Sequence, residues 1–149
     1  MLNLNLSKMK KLVIVLAVIA MAFGMSSCSS TSSPEAAVKN YCKLMKKGNA
    51  KEAYKCSYDY VVAMKGIPED GLKEFEEEIQ EYLNSIQEKY DKKIGKKDGI
   101  KNIDIVEVET KENKARAKLE VTYGDGDTDR EKLIVKKYDE KWYVEFVIW

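Results

Sequence analysis

The chain has 149 residues, with 26 basic and 25 acidic side chains, a formal net charge of +1 and no histidine. Interleaved lysines and glutamates in near balance argue against nucleic acid as a partner, because a protein that neutralises phosphates gathers a basic excess on one face. The missing histidine removes the side chain that titrates near neutral pH, the common catalytic triads and most zinc chemistry, so no catalytic residue, metal ligand or cofactor is expected.

The first element runs from Lys8 to Ser33. Lys8, Lys10 and Lys11 precede an uninterrupted apolar run from Leu12 to Phe23, and Gly24-Met25-Ser26-Ser27 leads to Cys28, which is the three-part layout of a signal peptide. The apolar run spans about 18 Å as a helix, well short of the ~30 Å hydrocarbon core, so cleavage is expected rather than membrane spanning. Met25-Ser26-Ser27-Cys28 resembles the lipobox of bacterial lipoproteins. That resemblance implies a signal peptide over residues 1–27, lipidation at Cys28 and a polar tether over residues 28–33. It also implies an envelope address, lipid-anchored to a membrane, on the periplasmic face of the outer membrane in a Gram-negative cell. The alternative is an ordinary secretory signal with Cys28 as an incidental thiol. Loss of residues 1–27 removes three lysines and leaves 23 basic against 25 acidic side chains, a net of −2. The remaining 122 residues (149 less 27) suit one domain, residues 34–149 after the tether.

Pro34 fits a first helical turn, and Val38, Tyr41, Cys42 and Met45 recur at helical spacing. Gly48 should end this helix, and Asn49 can cap a second through Ala50, Ala53, Tyr54 and Ser57, giving an antiparallel hairpin. Cys42 and Cys56 lie at matching heights on it. Two readings stay open: a disulfide adding about 3 kcal/mol by closing a loop of roughly 15 residues, or two small buried apolar cysteines.

Lys65-Gly66-Ile67-Pro68-Glu69-Asp70-Gly71 reads as a loop. A long helix follows, with Phe75, Ile79, Tyr82, Leu83, Ile86 and Tyr90 on one stripe. Its glutamates crowd the early turns and its lysines the last, as the helix dipole favours. These carboxylates point in several directions and lack the loop of a calcium site, so they read as a solvated face. After Gly99 the period changes to two. Four strands are expected, at residues 100–110, 114–123, 130–138 and 141–149, joined by short turns into an antiparallel meander. Ile103 and Ile105 occupy one parity and Val106 and Val108 the other, which implies a β-bulge. In the last strand Trp142, Val144, Phe146 and Ile148 should face the core. Tyr143, Val147 and Trp149 would then be covered by another segment or serve as a docking surface on the sheet face, for a protein partner or a homodimer.

Helices followed by antiparallel strands make an α+β fold, N-terminal helices packed on a curved four-stranded antiparallel sheet. Pro34-Glu35-Ala36-Ala37-Val38, Tyr41, Lys46-Lys47-Gly48-Asn49, Ala53-Tyr54 and the closing Lys141-Trp142-Tyr143-Val144 resemble the nuclear transport factor 2-like, cystatin-type cone, in particular its short bacterial lipoproteins of unknown function. The resemblance covers residues 34 to 149 and implies a cone able to enclose a pocket. Candidate pocket residues are Tyr41, Tyr54, Tyr58, Asp59 and Tyr123, with Tyr60 beside them. Their plain alternative is aromatic packing with one solvated acid. A non-enzymatic, membrane-anchored binding or interaction module is therefore expected. The alternatives are a small enzyme using a tyrosine and carboxylate pair, or an accessory subunit docking on another envelope protein.

Overall fold

The computed structural model describes Cys28 and residues 31–149; the expected signal peptide lies outside the described residues. Helix α1, Pro34–Lys46, starts where extended Ser33 accepts the Ala36 N–H on its hydroxyl at 3.1 Å, with Pro34 in the first turn. It ends in a Schellman turn: Gly48 takes φ +79°, its N–H donates to Met45 O, and Asn49 N–H donates to Leu44 O. A left-handed residue is needed there, and glycine adopts it without strain.

The expected second helix is broken in two. Helix α2 covers Ala50–Lys55 and helix α3 covers Tyr58–Lys65. Fully buried Ser57 separates them in an extended conformation, accepting the Tyr60 N–H and bridging in parallel to Val144. Tertiary pairing with the sheet thus overrides helical periodicity. A single 3-10 turn, Glu69–Gly71, leads into helix α4, Leu72–Gly95. Leu83, Ile86, Tyr90 and Ile94 are its buried stripe. The Tyr90 hydroxyl donates to Met45 O, and the Gln87 amide donates to Gly48 O at 2.8 Å, so α4 is fastened to the α1–α2 turn.

Strands β1 (Ile100–Lys111), β2 (Lys114–Tyr123), β3 (Thr128–Tyr138) and β4 (Lys141–Val144) form an antiparallel meander in the order β1-β2-β3-β4. The register slips between Ile105 and Glu107, placing the expected bulge at Val106, which is 65% exposed. Alternate residues Ala115, Ala117, Leu119, Val121 and Tyr123 of β2, Leu133 and Val135 of β3, and Trp142 and Val144 of β4 are buried. Side chains of this size each contribute about 1.5–3 kcal/mol when removed from water, alanines less. The helices pack on that face of the curved sheet, an α+β arrangement.

The last strand is shorter than its alternation suggests. After Glu145 N–H donates to Ile134 O, the chain leaves the sheet. Phe146 N–H then donates to Asp59 Oδ2 at 2.9 Å, and the Tyr41 hydroxyl donates to Val147 O at 2.6 Å while accepting the Val147 N–H at 3.1 Å. Side chains replace β3 as the partners of the tail backbone. Trp142 and Val144 face the core as expected and Phe146 and Ile148 pack against it, but Trp149, from the opposite set, is buried beside Tyr41 at a ring separation of 6.1 Å. Tyr143, Val147 and Trp149 therefore share no patch, and Trp149 belongs to the core.

The cysteine pairing also differs from the hairpin expectation. Cys56 is bonded to Cys28, 28 residues earlier, and Cys42 is a buried free thiol. Matching heights on the hairpin did not fix rotation: Cys42 faces Ile103 and Ile105 of β1, whereas Cys56 caps the end of α2 beside the incoming N-terminal segment. Burial pushes the Cys42 thiol up to about 12, the behaviour of a small apolar residue.

Candidate functional site

The five candidate pocket residues do not converge. Tyr41 lies in the core against the C-terminal tail, its ring 6.3 Å from Phe146 and 6.1 Å from Trp149. Tyr54 meets Phe146, Tyr60 and Tyr82 edge-on at 5.1, 5.8 and 5.2 Å. Asp59 is exposed, with one carboxylate oxygen engaged by the Phe146 N–H. Burial raises the phenol pKa of Tyr41, Tyr54 and Tyr60, keeping them protonated. The interior between helices and tail is thus filled with the chain's own aromatics.

Tyr123 sits at the other end of β2 and makes a tyrosine–carboxylate contact, bonding to Asp129. Lys97 Nζ lies 4.0 Å from the Tyr123 ring centre and 2.6 Å from Asp129 Oδ2. Its hydrogen bond holds the Asp129 carboxyl below the ordinary range. An acid kept ionised and a phenol only 1% exposed make a poor proton-transfer pair. Their geometry suits a clasp instead. Gly124 N–H donates to Gly99 O and Asp125 N–H to Lys97 O, and a side chain at Gly124 would collide with the Asp98 carbonyl. The cluster stitches the β2–β3 turn to the α4–β1 connection.

Tyr58 points to the far side of the sheet. Its ring stands edge-on to Tyr138 at 6.2 Å with Lys136 Nζ 5.0 Å above it. It borders an open groove of about 820 Å³ along β2 and β3 with Lys114, Arg116, Ile134, Lys136 and Lys137 on its walls. Five cations line this groove, counting Lys111, against two carboxylates, Glu109 and Glu112. Lys136 is paired with Glu145, and Lys137 with Glu140 at 3.3 Å, which leaves Lys111, Lys114 and Arg116 without an ion-pair partner among the described residues. The alternation of β2 and β3 turns Lys114, Arg116 and Lys136 outward, while Lys111 ends β1 and Lys137 has the parity of buried Val135; Tyr58 joins them because Ser57 breaks the helix.

Among the described residues no cluster of cysteine and carboxylate groups could hold a metal ion, and no helix is long and apolar enough to cross a membrane. No curated protein matches the chain. A solved structure from Campylobacter jejuni, described as an NTF2-like transpeptidase, superposes with a TM-score of 0.54 over 77% of this chain and 99% of its own, at 20% identity. That likeness defines the architecture as a nuclear transport factor 2-like cone. At the level of sequence, residues 26–145 match the model of the family described as Domain of unknown function (DUF4878), and the chain belongs to that family.

Proposed function

We propose that the protein is a lipid-anchored envelope component acting as a non-enzymatic interaction module, with the basic groove beside Tyr58 as its contact site. The observation that carries this reading is the filled interior: Tyr41, Tyr54, Phe146 and Trp149 occupy the space between helices and tail, while a groove on the outer side holds three cations with no ion-pair partner among the described residues; a second groove, of about 800 Å³, lies between α1 and β1. The cation-lined groove suits an acidic group on a partner at the membrane surface. A solvatochromic apolar dye should find no stoichiometric site in the wild type and should gain one in Trp149→Ala. A wild-type protein that binds such a dye internally, one per chain, would reinstate the hollow cone and with it the enzymatic alternative.

Anchoring rests on the Met25-Ser26-Ser27-Cys28 pattern and is governed by the chemistry of one sulfur. A thioether to a diacylglyceryl group and a disulfide to Cys56 are exclusive bonds, so in the anchored protein Cys56 carries a thiol. Mass spectrometry of protein taken from membranes should give a first residue Cys28 bearing acyl chains, with Cys56 open to alkylation after denaturation. Two acyl chains hold a protein on a bilayer stably. A mature form with unmodified Cys28 joined to Cys56 would replace the lipid anchor by a disulfide-closed secreted domain.

A further inference from the structure

Along the face of α4 turned away from its buried stripe lie Glu74, Glu78, Glu81, Ser85, Lys89 and Lys92, and the C-cap residue Lys96, still in helical conformation, continues the line, at intervals of 4, 3, 4, 4, 3 and 4 residues. At 100° per residue these seven fall within an arc of about 80°, one continuous stripe. All six charged residues are exposed, and none has an ion-pair partner among the described residues. Helix α2 grips α4 on a flank, through Asn84 and Gln87, and leaves the stripe open. The stripe is mirror-antisymmetric about Ser85: 74 is as far from it as 96, 78 as 92, and 81 as 89, each time with the sign reversed. Glu77 and Lys93 repeat the relation just off the stripe. The helix dipole favours acids first and bases last, but its influence fades within the terminal turns, and Glu81 and Lys89 lie in the middle of the helix, away from both.

We infer that α4 is a docking surface for a second copy of this chain, the two helices crossing antiparallel about a two-fold axis through Ser85. Glu74, Glu78 and Glu81 of each copy then oppose Lys96, Lys92 and Lys89 of the other, six charge pairs with no like-charge opposition on the stripe. A two-fold contact requires such a self-complementary surface, and the charges select antiparallel over parallel alignment, which would set glutamate against glutamate. The small Ser85 side chain permits close approach at the crossing. The open space of about 430 Å³ among Lys89, Lys92, Lys93, Lys96 and Ile148 receives the partner's glutamates. Exposed pairs are individually weak, so association is salt-sensitive and favoured where chains share one surface.

Sedimentation of the full chain in a nonionic detergent tests this. The expected result is a dimer at about 10 mM salt that dissociates at least tenfold more readily at about 1 M, where the screening length falls from about 30 to about 3 Å. E74K/E78K/E81K and K89E/K92E/K96E should each be monomeric, and mixing them should restore a one-to-one dimer. Ser85→Cys should form a disulfide-linked dimer with diamide, whereas Gln80→Cys should not; this arm needs no charge change. A monomeric wild type at low salt, a mixture that fails to associate, or equal cross-linking at positions 80 and 85 would each overturn the dimer. Loss of association by the lysine variant alone would assign those lysines to an anionic partner instead.

Discussion

At one edge of the sheet β4 has four residues and is covered, by Thr31 accepting the Trp142 N–H at 2.8 Å and by Ser57 bridging to Val144. At the other edge β1 runs for 12 residues with Lys101, Asp104, Glu107, Glu109 and Lys111 exposed and a bulge at Val106. An open row of strand N–H and C=O groups invites pairing with other chains, and there are two remedies: cover it, or make it charged and bent. This chain uses both. The covered edge depends on contacts between segments far apart in sequence, whereas the open edge depends on residues of β1 itself. Mutations should therefore be costly at β4 and its tail and cheap at β1.

The largest effect is expected for Phe146→Ala, which removes the ring packed edge-on to Tyr41 and Tyr54. Denaturant unfolding should register a loss of about 2–3 kcal/mol, below a fully buried phenylalanine because this ring is only partly covered. Next comes Tyr41→Phe, which keeps the ring and strands both backbone groups of Val147. Its expected cost is about 1–3 kcal/mol, accompanied by faster hydrogen exchange at Val147. Burial raises the Tyr41 pKa above its ordinary value of about 10, so the native state holds this proton more tightly than the unfolded chain. The resulting stability is fully present below pH ~10 and is lost as pH rises beyond it. Alkaline titration should loosen the tail first in the wild type, and Tyr41→Phe should lack that phase. Trp149→Phe is milder. The indole Nε1 is buried with no acceptor among the described residues, so removing it offsets part of the lost packing, and a net change below about 1 kcal/mol is expected. The smallest effect belongs to Val106→Lys on the open edge, within about 0.5 kcal/mol in the same unfolding assay. A loss of more than 2 kcal/mol there would abolish the contrast between the edges.

The same division explains what could be read from the sequence. The alternation of β2, the bulge in β1 and the turn at Gly48 are encoded by neighbours in the chain and stand where the local pattern puts them, and the α4 stripe does so in part: Leu83, Ile86 and Tyr90 are buried, Phe75 and Ile79 are partly buried, and Tyr82 is exposed. The break at Ser57, the exit of the tail after Val144 and the pairing of Cys56 with Cys28 are set by partners far away: Asp59 is 87 residues from Phe146, and Tyr41 is 106 from Val147. Local pattern is silent on such contacts. The candidate site failed for that reason. The pattern offers its tyrosines as pocket residues, with aromatic packing as the alternative, and the tail's crossing decides that Tyr41 and Tyr54 fill the cone while Tyr58 borders the outer groove.

The segment from Cys28 to Ser33 looks like slack in composition and is engaged at both its ends: Thr31 is bonded to β4, Ser33 caps α1, and Cys28 sits against Cys56. Only two residues separate Cys28 from Thr31, a span of at most about 11 Å even fully stretched. A lipid on Cys28 would therefore hold the domain like a short-leashed buoy, able to spin but not to roam. So anchored, its search would be two-dimensional, and partners would have to drift to it along the bilayer instead of being gathered from the depth of the compartment.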